Sequence, residues 1–192
     1  MRRKHYLFIT VFAATTFAGL SAVVAIVAPP PLLIWNASAS APIGLYRIHP
    51  DRDPAIGALV AVMPPERWSR WMAGRGYLPK GVPLLKHVAA KDGQRVCRIG
   101  DVVSVDARPV ANARARDGQG RPLPVWQGCR TLRADELLLL NPAHPDSLDG
   151  RYFGPLPVSA VIGRATPLHL RAASPSPSTP SRKEIGDADE YL

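Results

Sequence analysis

Residues 84–99 read LLKHVAAKDGQRVCRI, two short apolar segments on either side of Asp92-Gly93. Runs of this length and composition favour strands, and Asp-Gly is a strong signal for a tight turn. The stretch therefore predicts two β-strands joined as a hairpin. Lys86 is unusual in the first of them because the other residues of that segment, except His87, are apolar.

Other segments of the chain have the same character. Apolar runs of strand length occur at residues 58–63, 102–105, 136–140 and 160–165, whereas residues 107–124 are typical of a long irregular excursion. The chain also contains 21 Pro and 15 Gly, more than a helix bundle tolerates, because proline inside a helix removes a hydrogen bond. We therefore predict a mainly β fold. A chain of 192 residues has room for one such domain with appendages.

One small helical insertion is predicted within this domain, over residues 66–77 (ERWSRWMAGRGY). Trp68, Trp71 and Met72 follow the spacing i, i+3, i+4 and would form one apolar face. Two interpretations stay open. The face packs into the core, or, since arginines flank the aromatic residues, it forms an interfacial helix that touches membrane or substrate.

The N-terminal segment has the properties of a membrane anchor. Residues 6–27 (YLFITVFAATTFAGLSAVVAIV) carry no charge, and as a helix they extend about 33 Å, enough to cross a bilayer. Arg2, Arg3 and Lys4 precede them, so the positive-inside rule keeps the N-terminus in the cytoplasm. We expect residues 1–28 to form a cytoplasmic start and a single membrane span, with the domain that follows outside the cytoplasm.

A cleaved secretory signal is the alternative for this segment. Its apolar core would be shorter, roughly 7–15 residues, and would end in a site with small residues. Ile26-Val27-Ala28 is a poor cleavage site. The prolines at 29–31 would also hinder a protease, which binds its substrate as an extended, hydrogen-bonding backbone. Whether the segment is retained or removed, the body of the chain lies outside the cytoplasm.

The charge of the chain argues against a nucleic-acid partner. The net charge is +9, but the arginines are scattered singly among Pro, Gly and Asp and do not form a stripe with stacking aromatics. An anionic membrane surface is a better destination for this charge. Residues 172–192 contain almost no apolar side chain and are predicted to be a disordered tail, which leaves residues 29–171 as the folded domain.

Two cysteines are present, Cys97 and Cys129. In an oxidising compartment an even count suggests a disulfide, although two unpaired buried thiols remain the alternative because sequence does not show whether their Cβ atoms approach. The cysteines lack histidines at metal-ligand spacing, and no glycine loop suited to phosphate is present. We expect no cofactor and no metal.

A possible chemistry rests on Ser40 and Lys86. Ser40 lies in a stretch of small residues, where a serine is usually an ordinary loop hydroxyl. Lys86 either faces water from an edge strand or is buried as the neutral amine, in which case its pKa falls and it becomes a usable base near neutral pH. The pattern alone leaves both readings open.

Three clusters in order resemble the signal peptidase I superfamily, and in particular its conjugative-transfer branch, the TraF peptidases. They are residues 36–46 (NASASAPIGLY), 85–88 (LKHV) and 146–154 (DSLDGRYFG). The first meets the family pattern Asn-x-Ser/Thr-x-Ser-x-Pro-x-Gly-Leu-Tyr at every fixed position. The resemblance extends over nearly the whole chain, from the anchor to about residue 170.

The resemblance implies a Ser/Lys dyad without a histidine or aspartate triad. Ser40 would attack the scissile carbonyl and neutral Lys86 would take its proton. Four further residues would support them: Ser38 at the oxyanion, Ser147 orienting the lysine, and the Asp149 and Arg151 ion pair behind both.

The chain departs from general signal peptidases at two positions. Ala41 follows the serine where those enzymes usually have Met, which suggests a different membrane-facing lip. His87 follows the lysine where they usually have Arg. Because side chains alternate along a strand, His87 is expected to point away from Lys86.

The implied function is that of a serine endopeptidase that binds an extended segment with small side chains as an added strand. Its TraF-like features suggest a pilin precursor of a conjugation or type IV secretion apparatus as substrate. Two rival hypotheses stay open: a general signal peptidase that removes secretory leader peptides, and a non-catalytic anchored assembly factor of the secretion channel.

Overall fold

The computed structural model describes residues 2–27, 32–51 and 53–171. The predicted tail at 172–192 and the prolines at 29–31 lie outside the described residues. The helices are α1 (Arg2–Val27), α2 (Glu66–Gly74) and α3 (Gly150–Phe153), with a 3-10 turn at Val158–Ala160. The strands are β1 (Leu33–Asn36), β2 (Gly44–His49), β3 (Leu59–Val62), β4 (Leu84–Ala90), β5 (Arg95–Ile99), β6 (Val102–Val105), β7 (Arg108–Asn112), β8 (Gly128–Thr131), β9 (Glu136–Leu140), β10 (Leu156–Pro157) and β11 (Val161–Leu170).

These strands form two antiparallel sheets. The larger has the order β1-β2-β11-β3-β4-β9-β10, and the smaller has the order β7-β6-β5-β8. The long strand β11 pairs with both β2 and β3, so it joins the N-terminal strands to the centre of the larger sheet. The expected mainly β class, with a small helical insertion and one N-terminal apolar helix, is confirmed.

The predicted hairpin between β4 and β5 is wrong. Both strands exist and the chain turns at Asp92-Gly93, but β4 pairs with β3 and β9, whereas β5 pairs with β6 and β8. The physical reason is that both edges of β4 are already occupied, so β5 has no edge to join. The turn instead carries the chain from the larger sheet to the smaller one.

The predicted irregular excursion is also partly wrong, because residues 108–112 form strand β7. It pairs with β6 through a tight connection in which Val105 lies opposite Arg108. Asp106 and Ala107 both have positive φ, 48° and 64°, as a two-residue turn of the type that suits a twisted hairpin requires. Neither residue is glycine, so the turn lacks the residue type by which such turns are usually predicted.

The aromatic face of α2 packs into the core. The ring centroids of Trp68 and Trp71 lie 4.7 and 6.2 Å from that of Phe153, and Met72 is buried in the same cluster. Two flanking arginine guanidinium groups lie over the tryptophan rings, at 4.3 and 4.7 Å. Of the two interpretations of this helix, core packing is therefore the one that the structure supports.

Helix α1 stands apart from these sheets. Its segment Lys4–Val23 has a mean hydropathy of 1.8 and none of it is buried, so by length and composition it could cross a membrane. The helix therefore has the length and composition expected of the predicted membrane anchor.

Cys97 and Cys129 form a disulfide bond, as predicted. They lie directly opposite each other on β5 and β8, and the bond joins the centre of the smaller sheet to its edge strand. It ties together positions separated by 32 residues in sequence.

We expect the double variant Cys97→Ser/Cys129→Ser to lower the free energy of unfolding by about 3–4 kcal/mol, because the open chain regains loop entropy when it unfolds. Urea unfolding of the detergent-solubilised full chain measures the difference. Wild-type protein denatured without reductant should show no free thiol. Two reactive thiols in that sample, or equal stability of the two proteins, would contradict the assignment.

Candidate active site

The loop between β1 and β2 carries Ser40 and is folded around one buried amide. The Nδ2 of Asn36 donates to the carbonyl oxygens of Ser38, Ala41 and Pro42 at 2.9, 3.0 and 3.0 Å, while its Oδ1 accepts from the Ser38 backbone N–H at 3.1 Å. The Tyr46 hydroxyl donates to the same Pro42 carbonyl at 2.7 Å. The loop is therefore shaped by its own sequence motif.

Ser40 and Lys86, far apart in sequence, meet at this loop. Lys86 comes from β4 and is only 3% exposed, and its Nζ lies 3.4 Å from the Oγ of Ser40. The same amine donates to the Oγ of Ser147 at 2.7 Å. The Oγ of Ser38 lies 3.1 Å from that of Ser40. The four hydroxyl and amine groups singled out from the sequence thus form one connected group.

Burial lowers the pKa of Lys86 from its ordinary 10.5 to about 8. The main cause is loss of hydration, since a low-polarity surrounding disfavours the ammonium. The Asp149 carboxylate raises this pKa and the Arg151 guanidinium lowers it. Because these two charges act in opposite directions, desolvation decides the direction of the shift.

Asp149 and Arg151 form a buried, two-pronged ion pair behind the lysine. Arg151 Nε donates to Asp149 Oδ1 and Nη2 to Oδ2, both at 2.9 Å, and neither side chain is more than 1% exposed. Two charges can be buried in this way only when their hydrogen-bonding groups are satisfied. The remaining donors of Arg151 bind backbone carbonyl oxygens, those of Asn112, Asn141, His144 and Pro145.

The ion pair therefore fixes the backbone that carries Ser147. Three of those carbonyls belong to the segment 141–145, which leads directly to Ser147. Asp149 also accepts from the Arg151 backbone N–H at 3.1 Å and so begins α3. The pair, the short helix and the serine are one unit.

Asn141, at the end of β9, is a residue of this site that the sequence did not reveal. It is 2% exposed, and its side chain bonds to the backbone of both Ser40 and Leu85. In sequence it stands before a proline, where asparagine is typical of a turn. Its buried position arises only because β4, β9 and the loop that carries Ser40 converge in the fold.

His87 lies next to Lys86 on β4 but takes part in a different set of contacts. Its Nδ1 is 3.0 Å from the Oδ1 of Asn141. Across the described ranges, none of its hydrogen bonds reaches Ser40 or Lys86. This is the arrangement expected from the alternation of side chains along a strand.

A cleft of about 660 Å³ opens in front of these groups. Its polar contributors include Ser38, Ser40, Lys86 and Ser147, and most of the remaining lining is apolar, with Ile34, Met72, Leu78, Val82, Leu84 and Leu148 among it. Strand β1 forms the outer edge of the larger sheet and also borders the cleft. A free strand edge beside a cleft can accept an extended peptide through backbone hydrogen bonds.

Among the described residues, no group of three or more His, Cys, Asp or Glu side chains could hold a metal ion. The chemistry available is that of a hydroxyl beside a buried amine, the arrangement in which a serine becomes a nucleophile.

Comparison with known proteins gives this site a family. The model of the family described as signal peptidase, peptidase S26, matches residues 3–169. The chain is 39% identical over 140 residues to "Probable conjugal transfer protein TraF" of Sinorhizobium fredii. The alignment covers 68% of this chain and 73% of that protein. The chain is 37% identical over 145 residues to "Conjugal transfer protein TraF" of Agrobacterium fabrum, covering 69% and 80%.

Among solved structures, a signal peptidase I from Enterococcus faecalis matches 59% of this chain and 97% of its own, with 16% identity and a TM-score of 0.36. That similarity is too weak to add to the description of the fold. The family match spans most of the chain, and the relatives exceed 30% identity over two thirds of it. This chain belongs to the signal peptidase family, peptidase S26.

Proposed function

We propose that this protein is a membrane-anchored serine endopeptidase that cleaves an exported precursor, with Ser40 as nucleophile and Lys86 as general base. The observation that carries the proposal is the position of the Lys86 amine. It is buried, 3.4 Å from the Ser40 hydroxyl oxygen, and held by Ser147 at the wall of a cleft. A lysine with a pKa of about 8 is neutral in a useful fraction of molecules near neutral pH.

In the proposed reaction, the Ser40 oxygen attacks the scissile carbonyl carbon while Lys86 Nζ accepts the hydroxyl proton. The tetrahedral intermediate then breaks its C–N bond, and the Lys86 ammonium gives that proton to the leaving amine. Water, deprotonated by the same amine, attacks the acyl-enzyme ester and frees Ser40. Lys86 thus serves first as base and then as acid in each half-reaction.

The oxyanion of that intermediate needs hydrogen-bond donors. We assign them to the Ser40 backbone N–H and the Ser38 hydroxyl, which lies 3.1 Å from the Ser40 oxygen and would turn its hydrogen toward the substrate. A donor in such a position is worth about 3 kcal/mol of transition-state stabilisation. Ser147, Asp149 and Arg151 act behind them by holding the amine in place.

The substrate is proposed to be an extended, small-residue segment bound along β1. The relatives are named for conjugal transfer, and this supports a pilin precursor of a conjugation or type IV secretion apparatus as the substrate. We place the protein in the inner membrane with one span in residues 1–28 and the domain at 29–171 in the periplasm. The disulfide supports an oxidising compartment.

Ser40→Ala should abolish cleavage of a co-expressed candidate pilin precursor, since it removes the oxygen that attacks the scissile carbonyl. Intact-mass spectrometry of the pilin distinguishes precursor from product. Ser159→Ala is the matched control, because Ser159 is exposed and lies outside the cleft. The mature pilin mass from the Ser40→Ala strain would favour the non-catalytic assembly factor, and replacement of an essential leader peptidase by this gene would favour the general signal peptidase.

The rate should depend on pH through Lys86. Below pH 8 the amine is protonated and cannot accept the serine proton, so we expect kcat/KM to fall about tenfold per pH unit there and to level off above it. The initial cleavage rate of a fluorogenic peptide spanning the mapped site, followed from pH 6 to 10, measures the profile.

Lys86→Arg should be inactive at every pH in this range, because a guanidinium keeps its proton. Lys80→Ala is the control, since Lys80 is exposed. An active Lys86→Arg enzyme together with an inactive Lys80→Ala enzyme would show that the wrong lysine has been chosen.

A further inference from the structure

Asn141 joins three parts of the candidate site, which are the loop that carries Ser40, strand β4 and the Asp149–Arg151 ion pair. No step of the proposed reaction uses this residue. Asn141 follows β9 and is 2% exposed. A buried amide with unmet hydrogen bonds is costly, so the partners that it finds indicate what it is for.

Both Nδ2 hydrogens of Asn141 are bound by carbonyl oxygens of other segments. One bond, 2.6 Å long, goes to the Ser40 carbonyl, and the other, 3.0 Å long, goes to the Leu85 carbonyl. The first acceptor belongs to the proposed nucleophile itself. The second belongs to the residue immediately before the proposed base.

The acceptor half of the amide faces His87. Its Oδ1 accepts from the His87 backbone N–H at 3.3 Å and lies 3.0 Å from Nδ1 of the ring. Because both hydrogens of Asn141 Nδ2 bind carbonyl oxygens, the amide atom that faces the imidazole ring is Oδ1, which can only accept. The hydrogen of this contact must therefore be carried by His87 Nδ1. His87 therefore holds the amide in the orientation that serves Ser40.

The backbone of Asn141 is tied to the ion pair. Its N–H donates to Asp149 Oδ2 at 3.0 Å, and its carbonyl accepts from Arg151 Nη2 at 3.3 Å. The same ion pair fixes the segment that carries Ser147. Asn141 consequently has a fixed position relative to the group that binds the lysine amine.

The few contacts that Ser40 makes outside its own loop make this bond important. Within the described residues, its Oγ accepts from Lys86 Nζ and its backbone carbonyl accepts from Asn141 Nδ2. Asn36 and Tyr46 shape the loop internally but do not set its distance from β4. A bond to the Ser40 carbonyl restrains the serine backbone and therefore the direction of its Oγ.

We propose that Asn141 is a positioning residue that sets the distance between Ser40 Oγ and Lys86 Nζ. It does so by binding the nucleophile's carbonyl and the base's strand with the two hydrogens of one amide. This rests on the proposed Ser/Lys function. Without the amide, the serine loop keeps its shape but loses its alignment with the amine, so the chemical step suffers more than substrate binding.

The test compares two replacements of similar size in the detergent-solubilised full chain, with a fluorogenic peptide that spans the mapped cleavage site. Asn141→Asp keeps the acceptor toward His87 and removes both donors, whereas Asn141→Leu removes donors and acceptor together. Gln127→Glu is the control, because it makes the same amide-to-carboxylate change at an exposed side chain. Gln127 lies next to the smaller sheet, and its amide donates to the Gly100 carbonyl.

We expect both Asn141 variants to lose kcat by about 100-fold per folded molecule, with KM within about threefold of wild type, as for a misplacement of reacting groups. In Asn141→Asp, the new carboxylate also favours the ammonium and should move the midpoint of the kcat/KM profile upward by about one pH unit. A merely structural role would instead lower the folded fraction and leave kcat per folded molecule unchanged.

Folded variants with kcat near the wild-type value, or an Asp variant that is active while the Leu variant is not, would overturn the inference. If Asn141→Leu fails to fold, Asn141→Asp decides, and loss of the folded protein in both would assign Asn141 a structural role instead. Failure of the proposed function looks different. It would appear in the wild-type enzyme, as absence of cleavage, or as activity that survives Ser40→Ala.

Discussion

In the proposed mechanism, Lys86 must keep a neutral amine in contact with a serine hydroxyl, and much of the surrounding structure is consistent with that requirement. Lowering a lysine pKa from 10.5 to about 8 costs roughly 3 kcal/mol of folding free energy at pH values below both. The cost arises because Lys86 is only 3% exposed on β4, a strand inside the larger sheet between β3 and β9, with Val60 opposite it.

The buried ion pair of Asp149 and Arg151 explains how the Lys86 amine can be held in place while the nearby charges do not favour its protonated form. A single buried carboxylate there would raise the lysine pKa, but the guanidinium offsets it. The smaller sheet supports this pair through Arg98, which is 1% exposed and donates to the Arg151 carbonyl at 2.6 Å. Arg98 follows Cys97 on β5, so the disulfide stabilises the strand on which this support depends.

The sequence predicted local structure better than pairing. Strands β3, β4, β5, β6 and β9 and helix α2 were visible as apolar runs or helical spacing, whereas the partner of β5 was misassigned because the Asp92-Gly93 turn specifies a reversal and not a sheet. Strand β7 was missed because its turn has Asp106 and Ala107 in place of glycine. The candidate residues Ser40, Lys86 and Ser147 came from family resemblance, since spacing along a chain does not show proximity. Asn141 had no such signal, because its partners come from two other segments.

The protonation of Lys86 in the folded enzyme is the quantity that tests the account most directly. NMR of the full chain with lysine labelled at the ε-carbon, assigned with Lys86→Met, would follow the ε-carbon shift of this residue with pH. A midpoint near pH 8, well below those of the exposed lysines, is the result that we predict. A midpoint near the ordinary value of 10.5 would mean that the amine is hydrated and charged, and that Lys86 is not the base.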